Sequence, residues 1–487
     1  MESEQITSMG ALQEVQDTTR QRPRRARRKV MPAAMNKAWL VLMAALAMTV
    51  LEGAFRKWVP VFGGEMGKYL MYFSKDIIFA ALLLFPKRSL PSPAMKILGN
   101  WLIPGCVLVL AGAVLSSAHG INPVGALLTS RAVIILPLLA WLAVPRLTGL
   151  KLGWVLWLLI AFTVLNSALG VEQNRLPPDH ILNRYSDKEV DVVTVASGVR
   201  ATGTFSYIAG MALISTVGIW AGLALMSLAK NQRQRIGAWI ALAAGFGCGL
   251  AAVSRGPVVI GVVMVAGWMI CSRAGVSALA SGLVTAFFCV VVATGIGLTP
   301  VFSDLGEGFL QRATGGGDTF NGRAFGQFDE TITAFQMAPL GTGFGFQQNG
   351  GIYAATGTTD LTAFESPLPR LVLETGILGL IGYLTVCAGA LLALQCAKRE
   401  TQSAGVRAML LATQLLLLSA FYGSAIFNHT SSAFTWMIFA AVLAAAELKP
   451  EAGGQMPEGG KQKTESRNQR ADRKGKARHS VRTENAR

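Results

Sequence analysis

Residues 207–229 read YIAGMALISTVGIWAGLALMSLA, an unbroken run with no charged side chain. A run of this length and composition is what a helix needs to cross a bilayer. Working outward from it in both directions, comparable apolar blocks recur at 38–55, 67–85, 97–115, 124–144, 150–170, 235–252, 256–271, 275–298, 371–396, 407–425 and 431–447. Of the 487 residues, 52% are hydrophobic and only 15% charged, with a mean hydropathy of +0.44. A soluble chain is ordinarily about a quarter charged. The composition therefore excludes a soluble globular enzyme, a fibrous chain and a disordered chain. The expectation is an all-α, polytopic integral membrane protein with about twelve transmembrane helices and a large, partly helical outer loop.

Basic residues orient the spans, because Lys and Arg accumulate on the cytoplasmic side. With a cytoplasmic N-terminus, 31 of the 44 Lys and Arg fall in 1–37, 86–96, 146–151, 230–235, at Arg273, in 398–407 and in the C-terminal tail. Shifting the count by one helix scrambles this partition. Both termini are thus expected in the cytoplasm: a basic tail over 1–37, a membrane domain over 38–447 and a disordered basic tail over 448–487. The first block follows the basic stretch Arg20–Lys29 and lacks a short apolar core ending in a cleavage site, so it reads as an uncleaved anchor. The net charge of +17 would suit nucleic acid in a soluble protein. Here no aromatic residues interleave the tail charges, so the tails read as facing anionic headgroups, with no nucleic-acid partner.

Two outer loops are long, 171–206 and 299–370. The second exceeds a mere connection and carries aromatic residues throughout, so order is expected in it. Arg323 to Ala338 reads as a short helix with Phe325, Phe328, Ile332 and Phe335 on one face. Pro339, Gly341, Gly343 and Gly345 then end it. The six cysteines sit within or at the ends of apolar blocks, with neither disulfide nor metal-ligand spacing, and no metal or other cofactor is expected.

Ionisable groups at or near membrane depth are functional candidates, because burying them uncompensated costs a few kcal/mol or more. Arg131 lies within the fourth block, toward its outer end. Glu374 opens the tenth, with Arg370 one turn before it, at ion-pair spacing. Ser254-Arg255-Gly256-Pro257 forms an outer turn between two blocks, and Arg200 precedes the sixth. Arg323 stands in the large loop. The bland reading of each arginine is a side chain snorkelling to the interface. The sharper one pairs Arg200 with Arg255 at the outer mouth of the bundle, with Arg323 completing a diphosphate site. Guanidinium forks stay charged and match phosphate oxygens.

Three segments in order resemble the O-antigen ligase/polymerase superfamily of bacterial membrane glycosyltransferases. They are Arg200-Ala201-Thr202-Gly203-Thr204-Phe205-Ser206 before a helix and Ser254-Arg255-Gly256 opening one. The third runs from Gly322-Arg323 through Pro339-Leu340-Gly341-Thr342-Gly343-Phe344-Gly345 to Glu365–Gly376 and Ile377-Leu378-Gly379-Leu380. The likeness covers about 200–395. Glu52-Gly53-Ala54-Phe55-Arg56-Lys57-Trp58 is similar to a signature near the first helix of some members. The resemblance implies transfer of a glycan from a polyprenyl-diphosphate-linked donor to a glycan or lipid acceptor. It places the reaction at the outer face of the bacterial inner membrane, without metal or nucleotide, and implies a flippase and a chain-length regulator as partners. Where the family carries a His nine residues before the Glu of Glu-x-Gly, this chain has Glu365. Glu365 is then the expected general base, with a structural partner of Arg370 or a solvated carboxylate as the alternatives. Two other classes compete: a secondary transporter, since twelve spans is a common transporter count, and a non-catalytic partner in an envelope assembly.

Overall fold

The structure, a computed structural model, describes residues 37–59, 65–87, 92–147, 151–185, 192–195, 198–272, 320–346, 364, 366–422 and 429–447. Its helices are α1 (Ala38–Trp58), α2 (Glu65–Ala80), α3 (Pro93–Ser116), α4 (Pro123–Arg146), α5 (Leu152–Arg175), α6 (Ile208–Leu228), α7 (Gln232–Ala251) and α8 (Arg255–Ser272). They continue with α9 (Phe320–Met337), α10 (Pro367–Glu400), α11 (Ala404–Tyr422) and α12 (His429–Glu447). A two-residue antiparallel ladder, β1 (Thr194–Val195) with β2 (Gly198–Val199), interrupts the helical order before α6.

Eleven of the twelve apolar blocks fall on helices, and the ninth, 275–298, lies outside the described residues. Among the described residues eight helices are long and apolar enough to cross a membrane: α1, α3, α4, α5, α6, α10, α11 and α12. The chain thus fits a multi-pass membrane protein. Helix α2 has only 16 residues and includes Lys75 and Asp76, while α7 opens with Arg233 and Arg235.

Local signals explain the helix starts. Ser92 and Asn122 cap α3 and α4, accepting bonds from the Met95 and Gly125 amides at 3.1 and 3.2 Å, and each is followed by proline at the first helical position. Inside α4, Pro137 has no amide proton to offer Val133 and its ring crowds that carbonyl. The helix widens into a π-helical turn over Arg131–Ile135, where the Leu136 amide donates to the Arg131 carbonyl. Helices α6 and α12 are the most buried spans, with Trp220 donating to Thr413 of α11 at 3.0 Å. Helices α3 and α10 approach through small residues: a Cβ on Gly105 would stand 2.8 Å from the Gly382 carbonyl oxygen.

The helix expected over Arg323–Ala338 is α9, which begins three residues earlier, at Phe320. On the aromatic face Phe328, Ile332 and Phe335 are exposed. Ala334 and Ala338 lie instead against Val372 and Leu373 of α10, because small side chains let the two backbones approach.

Candidate functional site

The segment from Arg200 to Ser206 is held by hydrogen bonds from three directions. From α5, Gln173 accepts from the Thr202 and Gly203 amides at 3.1 and 2.8 Å, and Asn166 accepts from the Thr204 amide at 2.8 Å. Asn174 donates to the Val199 carbonyl at 2.8 Å. These carboxamides are buried, and each serves backbone that would otherwise be orphaned inside an apolar bundle. From α1, the Thr204 hydroxyl donates to the Val50 carbonyl at 2.7 Å and the Lys57 ammonium donates to Thr202 Oγ1 at 2.9 Å and to the Gly203 carbonyl at 2.7 Å. Gly53 is where the two backbones touch: a Cβ there would collide with Ser206 N and Phe205 C.

The third direction is the turn before α8. The Ala201 amide donates to the Ala251 carbonyl, and Arg200 Nε donates to the Ala252 carbonyl, both at 3.0 Å. The same turn leads through Val253 and Ser254 into Arg255, the first residue of α8. Val253 has a φ of 47°, an unfavourable region for a β-branched residue. Its conformation is held by bonds from Val253 N to Leu250 O (2.8 Å) and from Ser254 N to Gly249 O (3.2 Å). Backbone strain of this kind clusters at functional sites. Arg200 and Arg255 are both half-buried, and the two segments named by the resemblance meet at one turn. Tyr185 lies beside Arg200; burial pushes its hydroxyl above the ordinary tyrosine value, while the Val193 amide and the Arg200 charge pull the other way.

A group of buried and half-buried charges joins α1, α2 and α4 and reaches this loop through Arg56. Arg131, 3% exposed at the π-helical turn, grips Asp76 of α2 through two bonds, Nε–Oδ2 at 2.5 Å and Nη2–Oδ1 at 2.9 Å. The Lys75 ammonium is ion-paired with Glu52 of α1. Glu52 also accepts from Arg56 at 3.2 Å, and Arg56 donates onward to the Ser206 hydroxyl at 3.4 Å. The Tyr72 ring lies 4.6 Å from the Lys75 ammonium and 5.3 Å from the Arg131 guanidinium, a cation–π arrangement with both.

A second locus forms where α10 is broken. Gly376 has φ 64° and ψ −164°, a conformation open to glycine alone. The break frees backbone groups, and the Pro339–Gly345 segment occupies them: Ile377 N donates to Pro339 O at 3.0 Å and Thr342 N to Leu373 O at 2.6 Å. Phe344 bonds on its other side to Gly120 and Asn122, between α3 and α4. Glu374, fully buried just before the break, accepts from Thr129 of α4 at 2.8 Å. Thr129 stands two residues from Arg131, so α4 touches both loci.

Of the expected site residues, the structure joins the Arg200 segment to the Arg255 turn, and it seats Glu374 and Arg131 in buried polar contacts. Arg370 donates to the Phe364 carbonyl at 2.6 Å. Arg323 lies on α9 with its side chain outside the described atoms, and Glu365 lies outside the described residues. His180 accepts from the Leu182 amide, and His119 borders a pocket with Met337 and Leu340. The sequence reading passed over Lys75, Asp76 and the partnership of Glu52, although charged residues inside an apolar block were the signal for them. Compared with known proteins, the chain matches no family model and no curated protein.

Proposed function

We propose that this chain is a membrane glycosyltransferase, a polymerase or ligase that moves a glycan from a polyprenyl diphosphate to an acceptor hydroxyl at the outer face of the bacterial inner membrane. The reading includes twelve spans, cytoplasmic termini, and the 171–206 and 299–370 loops outside. One observation carries it: the Arg200 and Arg255 segments, far apart in sequence, share a strained turn, with the Arg200 guanidinium bonded to that turn.

In this reaction the acceptor oxygen attacks the anomeric carbon and loses its proton to a base. The glycosyl–phosphate bond breaks, and its electron pair leaves on the diphosphate. Arg200 and Arg255, with Arg323, neutralise that leaving charge, and Glu365 is the proposed base. The bond broken supplies the driving force, so no nucleotide is required. The test is purified protein in lipid, supplied with a polyprenyl-diphosphate-linked glycan. Release of polyprenyl diphosphate, reduced at least about tenfold in Arg200→Lys and Arg255→Lys because the fork geometry is lost, is the expected result. Normal transfer by both variants overturns the arginine clamp.

A second reading, a secondary transporter, is favoured by the buried charge pairs that join α1, α2 and α4 and by the interrupted helices α4 and α10. The same assay separates the two, because a transporter leaves the glycosyl–phosphate bond intact.

A further inference from the structure

Lysine at the end of a spanning helix ordinarily extends to water. Lys57 does the opposite. Its ammonium turns into the protein and spends two of its three protons on neutral acceptors, the Thr202 hydroxyl and the Gly203 carbonyl, with the Trp58 ring 4.8 Å away. Among the described residues no carboxylate pairs with it. Gly203 has φ 57°; its carbonyl accepts from Lys57 at 2.7 Å and from the Gln173 carboxamide at 3.4 Å, and its amide donates to Gln173 at 2.8 Å. The chain there is fixed on both edges at its least ordinary backbone position.

Glu52 lies five residues before Lys57 on α1. Its carboxylate bridges Arg56 on its own helix and Lys75 on α2. On the same helix Gly53 abuts Thr204–Ser206, and Arg56 and Lys57 both bond to that loop. The near end of the loop is pinned to the Ala251–Ala252 turn through Arg200 and Ala201. Among the described residues its far end is hydrogen-bonded to α1 and α5 and packs against Met211 and Gly210 of α6.

We propose that Lys57 is a positioning residue: it fixes the Thr202–Ser206 loop so that Arg200 is presented at the turn that carries Arg255. This rests on the diphosphate reading above for its consequence, but not for its geometry. The test uses the full chain in lipid nanodiscs and two variants, Lys57→Met, which keeps the aliphatic stem and loses the ammonium, and Thr202→Val, which removes one acceptor from the loop side. Amide exchange at 202–204 is compared with exchange at 436–443 in the buried α12, and affinity is measured for farnesyl diphosphate as the probe.

Positioning predicts amides 202–204 exchanging about tenfold faster or more with α12 unchanged, since only the local opening is altered. It also predicts farnesyl diphosphate affinity lowered about tenfold, with Lys57→Arg restoring part of both. Loop exchange as in the wild type, or a rise shared equally by α12, overturns the proposal. If wild-type protein does not bind farnesyl diphosphate while the variants loosen the loop, the positioning role stands and the diphosphate reading falls.

Discussion

Arg131 shows what a single residue reveals only when its neighbours are known. In the sequence it is one arginine in an apolar block, as consistent with snorkelling as with function. In the structure it is buried and doubly bonded to Asp76. Removing one partner of such a pair strands the other charge and costs about 3–5 kcal/mol, whereas removing both is far cheaper. Asp76→Asn should therefore lower the unfolding midpoint of the purified protein sharply, and Asp76→Asn with Arg131→Gln should recover most of the loss. A double variant as unstable as the single one would show that the pair is not the unit of stability. That Arg200 stands shortly before a helix and Arg255 at the start of one was legible, because an apolar run follows each. The bonds from Arg200 to Ala252 and from Lys57 to Thr202 were not, because they join residues more than fifty positions apart and depend on how α1, α5 and the turn before α8 meet.

Helices were the most legible elements, because a bilayer demands continuous apolar runs and leaves no other way to satisfy the backbone. The departures from regular helix were harder to read. Pro137 hinted at a disturbance in α4 but not at its π-helical form, and Gly376 gave no local sign of breaking α10, since glycines are frequent in spanning helices. That break is testable. Gly376→Ala introduces a Cβ 2.6 Å from the Pro339 carbonyl oxygen in a conformation alanine does not adopt. The expected outcome is release of the Pro339–Gly345 segment, read as faster amide exchange at 341–344 and new protease sensitivity there. Unchanged protection at those amides would mean that α10 is held in its broken form by other parts of the chain. Helix α9 teaches a related lesson. Its periodicity marked an apolar face on which Phe328 and Ile332 are exposed, while Ala334 and Ala338 pack against α10, because a sequence pattern does not say which small residues will meet a neighbour.

For the molecule as a whole, the distribution of basic residues makes a prediction independent of any side-chain contact. If the segments that carry 31 of the 44 Lys and Arg face the cytoplasm, as the positive-inside tendency predicts, reporter fusions after residues 190 and 340 should both read extracytoplasmic. A cytoplasmic signal at either one would require a different number of crossings before it. The segment Pro339–Gly345 also has a bearing on biogenesis. It is synthesised after the Gly120–Asn122 turn that binds one side of Phe344, but before α10, whose broken end binds Pro339 and Thr342. A nascent chain arrested before residue 367 lacks those α10 partners altogether, so the contacts of this segment can be completed only after α10 has been synthesised.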